Sequence, residues 1–170
     1  MKIIFATHNR NKHFEVAKIL PKNIELLSLD DIGCFEDIAE TSETIEGNAI
    51  QKAEYVYTKY KIPVFADDTG LEIEALNGQP GVYSARWAGD NCTYNDNVVK
   101  ALSELDGADN RNARFKTVIA FFDGESPHLF EGIIEGEITK KQKGAIGFGY
   151  DPIFLPHGYK QTFAEMDIGL

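Results

Sequence analysis

Cysteine is scarce in this chain: Cys34 and Cys92 are the only two. They form no metal-type spacing and no disulfide framework, the pattern of a reducing compartment. Long apolar runs are lacking too. Ile3 to Ala6 is too short for a signal-peptide core, and no run of about 18 apolar residues could span a membrane. The expected setting is therefore cytoplasmic, with no membrane partner. Basic residues are also in deficit, since 17 Lys and Arg stand against 27 Asp and Glu, a formal net charge of −10. That excludes a sequence-independent grip on duplex nucleic acid, which needs a basic face. It does not exclude a nucleotide, because a few local lysines with Mg²⁺ outweigh a global field. Repeats, low-complexity tracts and linkers are absent. What remains is 170 residues, 43% apolar and 26% charged, with the length of one domain or of two lobes sharing a core.

The chain is organised around Phe65-Ala66-Asp67-Asp68-Thr69-Gly70. Pro63 breaks what precedes it, Val64 to Ala66 read as a buried strand, and Thr69-Gly70 reads as the turn that ends it. Adjacent carboxylates repel unless a cation or strong donor sits between them. At the carboxyl end of a strand, where open α/β sheets place ligands, they suggest a divalent-metal site. A solvated turn is the plainer alternative.

Towards the N-terminus, Ile3 to Ala6 form a strand and a helix is expected from His13 to Leu20, ended by Pro21. The intervening Thr7-His8-Asn9-Arg10-Asn11-Lys12 makes a ready anion site, with helix amides, polar side chains and a lysine together. It lacks the glycines of a P-loop. Equally, Asn9 or Asn11 simply caps the helix. A strand over Ile24 to Leu29 leads into an acidic run from Asp30 to Glu46, which contains no Lys or Arg. Such a run is usually a solvated loop, yet Glu40 is positioned to reach a ligand or metal if the loop folds over the site. A helix over Asn48 to Tyr60 has Ala49, Ala53, Val56, Tyr57 and Tyr60 on its apolar face. Lys52 lies beside that face, either snorkelling or aimed at phosphates.

Beyond the carboxylates, Leu71 to Ala75 alternates as a strand and Asn77-Gly78 turns the chain. Arg86 and Trp87 sit in a long loop, better read as packing than as a binding patch. A helix over Tyr94 to Leu105 and a strand over Ala113 to Phe122 follow. Asp123-Gly124 is a hairpin signal, and Leu129 to Ile138 returns as one or two strands broken by Gly132 and Gly136. The architecture is α/β: a mixed sheet in two lobes, not a doubly wound nucleotide fold. Lys140, Lys141 and Lys143 form the basic cluster. In Gly147-Phe148-Gly149-Tyr150-Asp151 the aromatics can stack on a flat ring while Asp151 bonds its edge, or the whole turn can plug the core. Phe163 to Met166 begins a helix that the sequence leaves unfinished at Leu170.

These motifs coincide in order and spacing with one family. Thr7-x-Asn9-x-x-Lys12, Glu40-Thr41, Gly47-Asn48-Ala49, Lys52-Ala53, Phe65 to Leu71, Gly81 to Arg86, Gly147 to Phe154 and Thr162 to Glu165 carry the likeness. The chain resembles the inosine triphosphate pyrophosphatase family across essentially its whole length. The resemblance implies hydrolysis of ITP, dITP or XTP to the monophosphate and pyrophosphate, with Mg²⁺. It also implies an elongated two-lobed α/β fold around a twisted mixed sheet, with the substrate in the groove between the lobes, and a homodimer. Thr7 to Lys12 would hold the phosphates, supported by Lys52 and Thr69. Glu40 and Asp68 would bind magnesium with Asp67 beside them, and Asp68 would activate water. Phe148 and Tyr150 would flank the base on either side of Gly149, and Asp151 would help to read it.

Two departures stand out. His8 occupies a position where many members have Gly. The family pattern continues, after its Ala-Glu motif, with a Lys and then Ser-His-Arg, which read the purine's six-position oxygen; Leu170 comes before any of them. The expectation is a single domain over 1–170 lacking its C-terminal helix, with that base-reading segment beyond Leu170. Two other readings stay open: a nucleotide-binding module without turnover, and a pyrophosphatase of similar fold acting on pyrimidine or methylated nucleotides.

Overall fold

The computed structural model describes residues 1–166. Ten regular elements occur in chain order among them. They are β1 (Lys2–Phe5), α1 (Arg10–Ile19), β2 (Glu25–Leu27), α2 (Ile45–Tyr60), β3 (Val64–Ile73), β4 (Pro80–Gly81), α3 (Tyr94–Glu104), β5 (Asn112–Phe122), β6 (His128–Ile138) and β7 (Phe154–Pro156). The strands follow the order β2-β1-β3-β5-β6-β7, with β4 added on β3. β1 pairs in parallel with β2 and with β3, whereas β3 with β4 and β6 with β7 are antiparallel. The sheet is thus mixed, as the switch from strand–helix alternation to hairpin signals predicts. Helices α1 and α2 supply the crossovers that parallel neighbours require.

The largest departure from the sequence reading is β3. The turn expected at Thr69-Gly70 does not form, and one ten-residue strand carries Asp67 and Asp68 in its interior. Pairing overrides turn propensity here: Phe5 matches Phe65 on one side of the carboxylates, and Leu71 matches Gly81 beyond them. Both helices that precede β3 start earlier than periodicity indicates. The Asn9 side chain caps α1 by accepting from the amides of Asn11 and Lys12, and the Thr44 side chain caps α2 by accepting from Gly47. β2 is shorter than expected. β6 is a single strand despite its glycines. Gly136 serves close approach, since a Cβ there would lie 2.4 Å from the Leu155 carbonyl oxygen. Phe163–Glu165 is one 3₁₀ turn, and the remainder of the helix expected there lies outside the described residues.

The chain packs as two compact units. The first comprises Met1–Asp68 and Thr117–Glu131. Ile4, Phe5, Ala6, Ala49, Ala53 and Val56 are among its fully buried apolar side chains, and Phe5 stacks on Phe65 with centroids 4.5 Å apart. The second comprises Thr69–Lys116 and, among the described residues, 132–166. Its core joins Leu71, Ile73, Val98, Leu105, Ile153 and Phe154, with Phe115 and Phe163 against the Phe154 ring at 4.6 and 5.1 Å.

Candidate active site

Consecutive side chains of an extended strand leave on opposite faces. Asp67 and Asp68 are therefore separated by the backbone of β3, and each meets its own partners. Asp67 is buried and accepts a charge-assisted bond at 2.7 Å from the Lys12 ammonium, in the first turn of α1. Its other oxygen, Oδ1, is buried with no hydrogen-bond partner among the described residues. A carboxylate oxygen left in that state is costly unless a donor or cation meets it.

Asp68 faces α2. Its Oδ2 accepts from the Asn48 side-chain amide at 3.3 Å. Burial raises its pKa to about 6 from an ordinary 3.8, against the opposing charge of Lys52; Glu40 raises it further, while Asn48 and Lys12 lower it. This carboxyl changes protonation near neutrality, the condition for a general base. Lys52 is itself buried, with its ammonium 3.1 Å from Glu40. Helix α2 thus places Asn48 and Lys52, one turn apart, at a single carboxylate.

Asn48 is the functional candidate that sequence reasoning missed. An Asn at a helix start reads as a cap, but Thr44 caps this helix. Asn48 lies inside the first turns, buried, and its Oδ1 accepts from the Ser42 amide at 2.8 Å while its amide group holds Asp68. The Gly47-Asn48 pair was the available signal. A Cβ on Gly47 would lie 1.9 Å from Ser42 Oγ, so only glycine admits this close strap.

In the β1–α1 segment the capping alternative is realised. Thr7 Oγ1 accepts from the Asn9 amide at 3.1 Å, and Asn9 Oδ1 takes the amides of Asn11 and Lys12 at 3.0 and 3.1 Å. Those donors are spent internally, as the capping alternative requires. Arg10 is turned to Asp30 at 3.7 Å in an exposed pair, and His8 Nε2 contacts the Glu36 carbonyl at 2.9 Å. Lys12 is the cation this segment brings to the carboxylates.

In the second unit, residues 147–151 form a tight turn. Asp151 Oδ2 accepts from the Phe148 amide at 3.1 Å, and a Cβ on Gly147 would lie 2.2 Å from that same oxygen. Phe148 stays partly exposed, its ring 5.9 Å from that of Tyr94, an exposed aromatic the sequence reading did not single out. The stacking role expected for Tyr150 does not fit its placement. Its ring lies in the core and its hydroxyl donates to the Ser84 carbonyl at 2.6 Å. Burial raises its pKa well above the ordinary tyrosine value, so it remains a neutral phenol. Gly149 takes a left-handed φ of 63° in the same turn, and Thr69 is partly exposed on β3.

Among the described residues no three His, Cys, Asp or Glu side chains are gathered as a metal-binding group. The donor set nonetheless fits Mg²⁺, which needs one or two carboxylates and completes its shell with water and phosphate oxygens. Asp67 Oδ1, buried and unpartnered, is the atom that most requires such a cation.

The chain is similar over nearly its whole length to known proteins. The model of the Ham1 family matches residues 3–169. The chain is 57% identical to the dITP/XTP pyrophosphatase of Flavobacterium psychrophilum, over 99% of this chain and 88% of that protein. It is 51% identical to the dITP/XTP pyrophosphatase of Porphyromonas gingivalis, over 97% of this chain and 86% of the other. A solved HAM1 protein from Coxiella burnetii superposes with a TM-score of 0.92 at 38% identity, covering 99% of this chain and 88% of that one.

Proposed function

The chain belongs to the Ham1 family, and from that premise we propose that it hydrolyses non-standard purine nucleoside triphosphates (ITP, dITP and XTP) to the monophosphate and pyrophosphate. The observation that carries the chemistry is Asp68: a carboxyl held by Asn48, flanked by Lys52 and Glu40, and raised by burial to about 6. In its ionised form it accepts the proton of the water that attacks the triphosphate, so the bond between the α and β phosphates breaks with pyrophosphate leaving.

Glu40 and Asp68 on the α2 side of β3, and Asp67 Oδ1 on its opposite face, are the carboxylate groups that would hold Mg²⁺, which when bound would neutralise phosphate charge ahead of attack. Lys12 and Lys52 supply further positive charge, each at present balanced by a carboxylate. A triphosphate competing for those ammonium groups frees oxygens of Asp67 and Glu40. Thr7 and Thr69 through their hydroxyls and Asn9 and Asn11 through their side-chain NH₂ groups orient the phosphates, since the amides of Asn9, Asn11 and Lys12 are taken within the segment; His8 and Arg10, whose side chains are turned elsewhere, contribute backbone only. Phe148 stacks on the base and Asp151 bonds its edge, with Gly149 and the buried Tyr150 shaping the turn that presents them. The homodimer and the cytoplasmic setting are part of the same proposal, supported by the family resemblance and, for the setting, by two unpaired cysteines.

The test is pyrophosphate release from dITP, XTP and dGTP with and without Mg²⁺. Release from dITP and XTP, dependent on Mg²⁺ and well above that from dGTP, is expected. Tight Mg²⁺–dITP binding with no pyrophosphate would make the chain a binding module instead, and preference for pyrimidine or methylated nucleotides would reassign its substrate.

A further inference from the structure

The acidic run between β2 and α2 forms neither helix nor strand, yet residues 34–42 are stitched along one stripe of α2. Ser42 meets Asn48, Thr41 exchanges bonds of 2.9 and 3.0 Å with Gln51, Glu40 meets Lys52, and Glu36 meets Tyr55 and Lys59. Positions 48, 51, 52, 55 and 59 recur at helical spacing, so the strap runs antiparallel to α2 along a single face. We propose that Glu36 is a positioning residue, which latches the far end of this strap and so fixes where Glu40 stands beside Lys52 and Asp68.

Three observations carry this. The Glu36 carboxylate takes both the Tyr55 hydroxyl, at 3.0 Å, and the Lys59 ammonium, with the buried Cys34 thiol facing it. The backbone carbonyl of the same residue meets His8 Nε2. A carbonyl only accepts, so Nε2 carries the proton and the segment after β1 is tied to the strap at the same point. Finally, Thr41 and Ser42 are held by hydrogen bonds of neutral groups, each weak alone, so the strap has two charged anchors, Glu40 on Lys52 at the site and Glu36 on Lys59 away from it, and the second sets the register independently of the site. The Lys59 ammonium before all else holds the Glu36 carboxyl down to about 2, so the latch stays charged across the range in which Asp68 titrates.

The inference deepens the proposed function and rests on it for its catalytic consequence. Asp68 sits on a paired strand and Glu40 on the strap, so loosening the strap weakens substrate binding more than it slows the chemical step. Glu36→Ala and Lys59→Ala should raise KM for dITP about two- to fivefold, the fold-change that an exposed ion pair supports, with kcat nearly unchanged. Glu36→Gln, which keeps an acceptor for Tyr55, should fall between them and the parent. Amide hydrogen exchange on the substrate-free chain gives a second readout: the Thr41 and Ser42 amides should exchange at least about threefold faster in both alanine variants. Unchanged exchange at those amides would overturn the latch, and so would a lowered melting temperature with KM unmoved. If the parent released no pyrophosphate from dITP, the functional reading would fall, and the exchange data would still decide the latch.

Discussion

In the first unit the candidate residues are held by charge and by directed donors: Lys12 on Asp67, Lys52 on Glu40, Asn48 on Asp68, Lys59 on Glu36. In the second unit the turn bearing Phe148 and Asp151 is held mainly by volume, with Tyr150, Ile153 and Phe154 sunk in an aromatic core. The difference separates two kinds of sensitivity. Charge-held groups respond to pH and ions, because their partners must stay ionised. A packed turn ignores both and responds to a lost methylene. A phosphate chain calls for movable counter-charges and a flat base for a rigid wall, so each means of support suits the ligand part proposed for it.

The sharpest way to break this comparison is Asp68→Asn. Turnover of dITP should fall by about 10²- to 10⁴-fold, the usual contribution of a positioned base, with the fold retained. In the parent, kcat/KM should decline below about pH 6 as Asp68 takes up its proton, and added Mg²⁺ should move that limb lower. A pH-independent rate between 5 and 8 would remove Asp68 as the base. Next comes Phe154→Ala, which empties a fully buried site in the second unit. It should cost roughly 3–5 kcal/mol, read as a drop in melting temperature of roughly 10 °C that is the same at low and high pH. A pH-dependent loss would blur the distinction drawn here.

The smallest effect concerns stability at the charged side. Asp68 has a folded pKa near 6, above the ordinary 3.8. Its protonated form is thus favoured by folding, and the stability it contributes is complete below about 3.8 and lost as pH rises through 6. Asp68→Asn should therefore gain on the parent by on the order of 1–2 kcal/mol between pH 4 and 7, after allowance for the carboxyl's partial exposure. Thermal melts of the two proteins across that range check it. A constant difference would mean that burial does not govern this carboxyl.

The α2 stripe and the switch from strand–helix alternation to hairpin signals made the fold class legible in the sequence. Motif spacing did the same for the carboxylates and the turn at 147–151. What was hidden had physical causes. Asp-Asp-Thr-Gly has turn propensity, and it is the pairing of β3 with β1, β5 and β4 that makes it strand. Tyr150 is amphipathic, so its type alone does not say whether its ring faces a ligand or the core. Asn48 stood at the expected start of its helix with no role of its own, because the real cap, Thr44, lies a turn earlier and the purpose of Gly47 shows only when Ser42 is seen against it. The early start of α1 likewise turned expected ligand donors into capped amides.

One feature of β3 bears on how the gene can change. Asp67 and Asp68 leave the strand on opposite faces, and their alignment depends on Ile4 matching Val64 and Phe5 matching Phe65. A one-residue slip inverts every side chain of a strand. If the strand slipped to absorb a single codon deleted or inserted between α2 and the carboxylates, one aspartate would take the other's place and Ala66 or Thr69 would fill the position left, so either the partner of Lys12 or that of Asn48 would cease to be a carboxylate. Nothing in composition, charge or hydrophobicity would register the change. The loop at Lys61–Pro63 is accordingly tolerant of spelling and intolerant of length, and indels there should be absent from any functional library.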